Sequence, residues 1–176
     1  MADRTSQAEA EERLHRWMEQ YAQPLFGFLV VHVGDRHLAE DLVQEVFCRA
    51  WEARDRYDDI GQERAYLWRI ADRLVCDRMR ARKRQVRVEP ASWDAAAEAP
   101  AVGGSPADAA EHWESCSQLD TALAALTDAQ RRTLLLRYYG QLEFHEIAAM
   151  TDTPLNTALS HARRGLALLR RLLVES

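Results

Sequence analysis

Between Glu89 and Gln118 lie thirty residues that cannot build a core. The segment EPASWDAAAEAPAVGGSPADAAEHWESCSQ consists mainly of Ala, Pro, Gly and acid, with almost no large aliphatic side chain. Such a composition buries too little apolar surface to offset the entropy of ordering it, and reads as a flexible linker. A chain of 176 residues interrupted at that point is expected to fold as two small units. The expected division is a first domain over 1–88, a linker over 89–118 and a second domain over 119–176.

Charge follows the same division. Through Val88 the chain carries 16 Lys and Arg against 16 Asp and Glu. The linker holds 6 acids and no base, and from Leu119 onward 7 basic residues face 6 acidic ones. The net charge of -5 therefore sits in the middle, and local basic faces survive on both sides. No apolar run is long enough to cross a membrane. The N-terminus MADRTSQAEAEERLHRW has no signal-peptide core. Three widely spaced cysteines, Cys48, Cys76 and Cys116, argue against a disulfide framework and for a reducing cytoplasm.

Both flanking parts show the helical period. In AEDLVQEVFCRAW the residues Ala39, Leu42, Val43, Val46, Phe47, Ala50 and Trp51 recur at three and four and share one side of a helix. Asp41, Gln44, Glu45 and Cys48 fall on the other side. Two helices are expected before it, a short one over Glu11–Gln20 with Leu14, Trp17 and Met18 inward, and a largely buried one over Pro24–Val33. Gly34-Asp35 ends the second. RDRYDDIGQE (Arg54–Glu63) has turn chemistry and reads as a loop. Arg64 to about Arg84 is then a long helix. Its apolar side is Leu67, Ile70, Ala71, Leu74 and Val75, and opposite them Arg69, Arg73, Cys76 and Arg80 align at four, three and four. Trp68 borders that stripe and suits either a core position or a base contact.

In the second part Leu119, Ala122, Leu123 and Leu126 mark a short helix. Thr127 and Gln130 fit a capping box for a helix carrying Leu134, Leu135, Leu136 and Tyr138 that stops at Gly140. Glu143 to Met150 is a short helix and Thr151-Asp152-Thr153 a tight turn. Thr153 is expected to cap the last helix, with Pro154 in its first position. The buried stripe expected there is Leu155, Ala158, Leu159, Ala162, Leu166, Leu169 and Leu173. Thr157, Ser160, Arg164 and Arg171 lie opposite, flanked by Asn156 and His161. A short helix, a three-residue turn and a helix with a polar, basic outer face is helix-turn-helix logic. The fold class expected is thus all-α, two small helical domains joined by a flexible acidic linker.

No nucleotide-binding loop, catalytic triad spacing or paired carboxylates appear, so the chain reads as a binding protein without cofactor rather than as an enzyme. His112 and Cys116 stand four apart, but no second pair completes the four ligands that structural zinc takes. No metal is expected. Cys76 lies among arginines, which favour a thiolate, yet a small polar filler is the plainer reading.

Three blocks in order, AEDLVQEVFCRAW, YLWRIADRLVCDRMRARKR and LAALTDAQRRTLLLRYYGQLEFHEIAAMTDTPLNTALSHARRGLALLRRL, resemble the extracytoplasmic-function (ECF) sigma factors of bacterial RNA polymerase. The resemblance covers about Tyr21–Arg84 (the family's region 2) and Leu119–Leu173 (region 4). It implies a dissociable polymerase subunit that recognises promoters and starts transcription in the cytoplasm. The core-polymerase contact, on the β′ clamp helices, would be made by Asp41, Gln44, Glu45 and Arg49. The melted minus-ten element would be held by Tyr57, Asp58, Trp68, Arg69, Arg73, Asp77 and Arg80. Asn156, Thr157, Ser160, His161 and Arg164 would read the minus-thirty-five duplex. The β subunit and an anti-sigma factor complete the partners implied, and the free chain would be a monomer without membrane insertion. The chain departs from the family's usual pattern at Arg73, where Asn is frequent, at Asn156-Thr157-Ala158 for Lys-Ser-Arg, at His161 for Arg, and at Glu143 for a capping Ser. The other reading is a duplex-DNA regulator with a helical dimerisation domain, to which a basic, aromatic-edged helix before the linker would be of no use.

Overall fold

The computed structural model describes residues 2–57, 61–86, 118–119 and 121–174. Among them every regular element is helical. The chain divides into two compact units, Met1–Glu98 and Ala99–Ser176. The linker, including His112 and Cys116, lies outside the described residues up to Gln118, as does Asp58.

The first unit is built from α1 (Ala2–Val33), α2 (Arg36–Glu52), a single 3₁₀ turn (Arg54–Arg56) and α3 (Glu63–Val86). The two helices expected before Gly34 are one continuous helix with Pro24 inside it. An interior proline costs about 3 kcal/mol through its missing N–H and its clash with the preceding turn. Leu25, Phe28 and Leu29 are completely buried just beyond it. Each such side chain contributes about 1.5–3 kcal/mol, so together they outweigh the proline. Trp17 and Tyr21 extend the same buried side toward the N-terminus, whereas Met18, expected inward, is 46% exposed.

Gly34 turns the chain at φ +69°, a left-handed conformation that Gly adopts without steric cost. Asp35 then caps α2, its carboxylate accepting from the Leu38 N–H at 3.0 Å. Ala39, Leu42, Val46, Phe47 and Ala50 are buried as their spacing requires. Trp51 is only half-buried; the Arg54 guanidinium lies 4.6 Å from its ring centroid and donates to its carbonyl.

In α3 the buried side is Leu67, Trp68, Ala71, Asp72, Leu74 and Val75. It is rotated relative to the expected stripe, so Ile70 is half-buried and Trp68 lies fully inside at 1% exposure. Tyr21 meets the Trp68 ring edge to face at 5.8 Å. Burial, then the Glu63 carboxylate, raises the Tyr21 hydroxyl pKa, with Arg64 pulling the other way.

The second unit holds a helical turn over 121–124, then α4 (Asp128–Tyr138), α5 (Phe144–Thr151) and α6 (Leu155–Val174). The capping box of α4 forms as spaced: Thr127 Oγ1 accepts from the Gln130 N–H, and Gln130 Oε1 accepts from the Thr127 N–H. Arg131 ties the preceding turn to α4 by donating to the carbonyls of Leu123, Ala124 and Leu126. Tyr138, counted with the apolar residues of α4, is 63% exposed.

Between α5 and α6 the chain turns through Asp152 at φ +52°, a left-handed residue where Asp is tolerated better than a bulkier side chain. Thr153 does not serve α6 as expected. Its hydroxyl lies 2.9 Å from that of Thr151 on α5, and the first backbone bonds of α6 run to the Pro154 carbonyl.

The packed side of α6 differs from the expected leucine stripe. Ala158, Ala162 and Gly165 are its buried residues. Leu155, Leu159, Leu166 and Leu173 are each about 40% exposed or more. Small residues at spacings of four and three make the packed seam, the helix comes close to α4 at Gly165, and the leucines are left beside the seam. A Cβ added at Gly165 would lie 2.9 Å from Leu134 Cδ1 and 3.4 Å from Gln130 Cβ.

Replacing Gly165 tests the seam. Gly165→Ala gains about 1 kcal/mol of helix propensity and loses a similar amount displacing the Leu134 tip, so it is expected near wild type. Gly165→Leu cannot be absorbed by one side-chain shift and is expected to cost about 2–3 kcal/mol. Denaturant unfolding of the full chain checks both.

Candidate functional site

Three exposed faces carry the candidate residues. The first is the outer side of α3. Arg69, Arg73, Asp77, Arg80 and Arg84 are all exposed and follow one another at four, four, three and four, so they form one ridge opposite the buried side. Residues four apart rise about 6 Å along a helix, and the ridge presents its cations in two pairs. Asp77 stands between the pairs and accepts from Arg80 at 3.1 Å, both side chains being about two-thirds exposed. Such a pair contributes about 0–1 kcal/mol, so Arg80 is readily available to another anion. The half-buried Cys76 flanks the ridge.

Trp68 does not belong to this face. Its ring is enclosed between the helices, and its indole N–H has no acceptor among the described residues. It is a core residue and not the base contact that the resemblance implies. The sequence places it one step from Arg69, but one step around a helix is about 100°, enough to carry it from ridge to interior.

Tyr57, at the end of the 3₁₀ turn, is half-buried and packed against other rings, with centroids 5.2 Å from Trp17 and 4.7 Å from Tyr66. The Arg13 guanidinium covers both Trp17 and Tyr57, at 5.5 and 5.6 Å. Arg13, Trp17 and Tyr66 were not among the expected site residues. Nothing in their spacing links them, since they meet only after α1 and α3 pack. Arg84, by contrast, could have been found by continuing the stripe one further turn.

The second face is the outer side of α2. Asp41, Gln44 and Arg49 are exposed and Glu45 is half-buried. Glu45 is already engaged by Arg49 at 2.7 Å, so this face is less acidic in effect than its composition suggests. Cys48 is exposed on the same side.

The third face is on α6. Asn156 and Arg164 are exposed, and Thr157, Ser160 and His161 are half-buried. Thr157, Ser160 and Arg164 follow at three and four on the side away from the Ala158–Ala162–Gly165 seam, with Asn156 and His161 flanking them. The structure thus brings these five together on one outer surface. The entry to this helix-turn-helix is braced from α4: Arg137 donates to the Leu142 carbonyl and to Glu143, both at 2.9 Å. Glu143 stands where a capping Ser is usual, and Glu146 compensates by accepting from the Glu143 N–H at 2.7 Å.

Exposed cations along a helix suit nucleic-acid phosphates, and short polar side chains on the first turns of a helix-turn-helix's second helix suit base edges. Comparison with known proteins identifies the family. The family model of sigma-70 region 2 matches residues 17–85 and that of sigma-70 region 4 matches residues 116–169. The ECF RNA polymerase sigma factor SigW of Bacillus subtilis is 28% identical over 158 residues, 87% of this chain and 84% of that protein. The ECF RNA polymerase sigma factor SigK of Mycobacterium ulcerans is 30% identical over 157 residues, 86% of this chain and 81% of that protein. Among solved structures, the sigma factor RpoE of Bartonella quintana, in complex with the anti-sigma factor NepR, superposes with a TM-score of 0.76 at 23% identity, covering 92% of this chain and 97% of that one. CnrH, in complex with the cytosolic domain of CnrY, gives a TM-score of 0.66 at 21% identity, covering 100% and 99%. With both sigma regions present in order and relatives matched over most of their length, this chain belongs to the ECF RNA polymerase sigma factors.

Proposed function

We propose that the chain is a dissociable polymerase subunit that docks on the core enzyme, selects promoters through both units and helps open the minus-ten region. It works by binding and placing DNA rather than by catalysis, and it acts in the cytoplasm, where the polymerase is. The observation that carries this reading is the exposed ridge of α3 in the same chain as the braced helix-turn-helix of α5 and α6. One face suits a flexible strand and the other a duplex groove.

Asp41, Gln44, Glu45 and Arg49 on α2 are the proposed docking face for the β′ clamp helices. Charge there sets orientation and encounter rate more than affinity. Arg69, Arg73 and Arg80 are proposed to hold the phosphates of the melted strand, with Asp77 between them and together with Tyr57 and Asp58. Asn156, Thr157, Ser160, His161 and Arg164 are proposed to read the minus-thirty-five duplex. The β subunit is a further polymerase contact. An anti-sigma factor is a further partner, supported by the two solved neighbours, each in complex with another protein. The direct experiment is retention of core polymerase on the immobilised chain, followed by promoter-dependent transcription. A chain that retains no core overturns the proposal.

Two substitutions separate the faces. Arg73→Ala is expected to slow open-complex formation about tenfold, the worth of one hydrogen bond to a charged group, while core affinity stays unchanged. An equal loss of both would make the ridge structural. His161→Arg adds a cation to the α6 face. It is expected to tighten minus-thirty-five binding and steepen the logarithmic salt dependence by about 0.9. A titration of affinity against salt reads this directly.

A further inference from the structure

The ring cluster around Tyr57 joins three parts of the chain that are distant in sequence. Trp17 lies on α1 and is 7% exposed. Tyr57 ends the 3₁₀ turn, in extended conformation. Tyr66 lies in the first turn of α3, its N–H donating to the Gln62 carbonyl at 2.9 Å. Trp17 meets Tyr57 edge to face, at 88° between planes, and Tyr66 at 6.2 Å. Arg13 closes the cluster from the outer side, its guanidinium about equidistant from the Trp17 and Tyr57 rings. Burial raises the Tyr66 hydroxyl pKa, as expected for a ring held inside a packed group.

Tyr57 ends the 3₁₀ turn and Tyr66 lies one turn into α3, and the two rings pack on each other and on Trp17 of α1. Through these rings the start of α3 and the end of the 3₁₀ turn are held against each other and against α1. The aromatic surfaces of Tyr57 are already occupied by Trp17, Tyr66 and Arg13, so a nucleic-acid base could stack on it only by displacing one of them.

We infer that Arg13, Trp17 and Tyr66 are positioning residues for minus-ten recognition, and that Tyr57 acts as the anchor they hold rather than as a stacking platform for a base. The inference rests on the minus-ten role proposed above for α3 and for Tyr57. It extends recognition to α1, whose Arg13 precedes the part of the chain matched as region 2. Energetically, the cluster fixes Tyr57 and the start of α3, one turn before Arg69, before DNA arrives.

The test uses holoenzyme reconstituted from the full chain and core RNA polymerase. The probe is a pool of fork DNA in which the non-template strand is single-stranded and randomised across the minus-ten region. Bound and unbound DNA are sequenced, and core affinity is measured in parallel. Trp17→Ala is expected to reduce enrichment of the preferred bases about fivefold, the worth of one aromatic pair, with core affinity within a factor of about two. Trp17→Phe, which keeps a ring against Tyr57, is expected to restore most of the enrichment. Arg13→Gln, a change at the outer edge of the cluster, should reduce enrichment in the same direction without lowering the thermal midpoint. Base enrichment by Trp17→Ala and Arg13→Gln equal to wild type overturns the inference alone. A wild-type holoenzyme that enriches no base overturns the minus-ten role itself. Loss of core binding and enrichment together in Arg13→Gln would show that the cluster only supports the fold, and also overturns the inference.

Discussion

Burial of Trp68 sets the rotation of α3, and what the first unit offers to solvent follows from that setting. The ring is too large to be placed anywhere but the centre, between α3 and Tyr21 of α1. Once it is there, residues on the opposite side have no choice but to face out, and apart from Asp77 those of the ridge are arginines. An indole N–H without an acceptor costs about 1–3 kcal/mol, less than the packing of so large a ring contributes. The second unit uses the opposite device. There an absence of side chain at Gly165 and small ones at Ala158 and Ala162 fix how α6 lies against α4, and so which residues of α6 face outward.

Much of this architecture was legible in the sequence, for identifiable reasons. The period of α2 is clean because one side is apolar and the other polar over four turns, and Ala39, Leu42, Val46, Phe47 and Ala50 are buried accordingly. The cap of α4 was legible because a capping box is local chemistry, decided by Thr127 and Gln130 alone. The ridge of α3 was legible because charged residues at three and four can only lie on one face, and the structure leaves Arg69, Arg73 and Arg80 exposed.

What the sequence hid depends on packing between distant segments. Trp68 could be core or contact because it sits at the edge of the apolar arc, and only the ring of Tyr21 decides. Pro24 read as a boundary because local cost was visible and the burial of Leu25, Phe28 and Leu29 was not. The leucines of α6 looked like the buried stripe because hydrophobicity was weighed without size. Close helix approach favours small residues, and Leu155, Leu159 and Leu166 were set to the side. The association of Arg13, Trp17, Tyr57 and Tyr66 has no sequence signature of any kind, being a product of three elements meeting.

The bond between Glu45 and Arg49 on α2 has a consequence for how long any partner stays. A basic side chain that takes Glu45 Oε1 displaces Arg49, which then returns to water. One exposed ion pair is exchanged for another, and each contributes about 0–1 kcal/mol. The swap is therefore close to energetically neutral. Charge on this face can orient a basic partner and reject an acidic one, yet it adds little to affinity. On such a face one cation can replace another with little change in energy, so lasting attachment has to draw on apolar contact elsewhere.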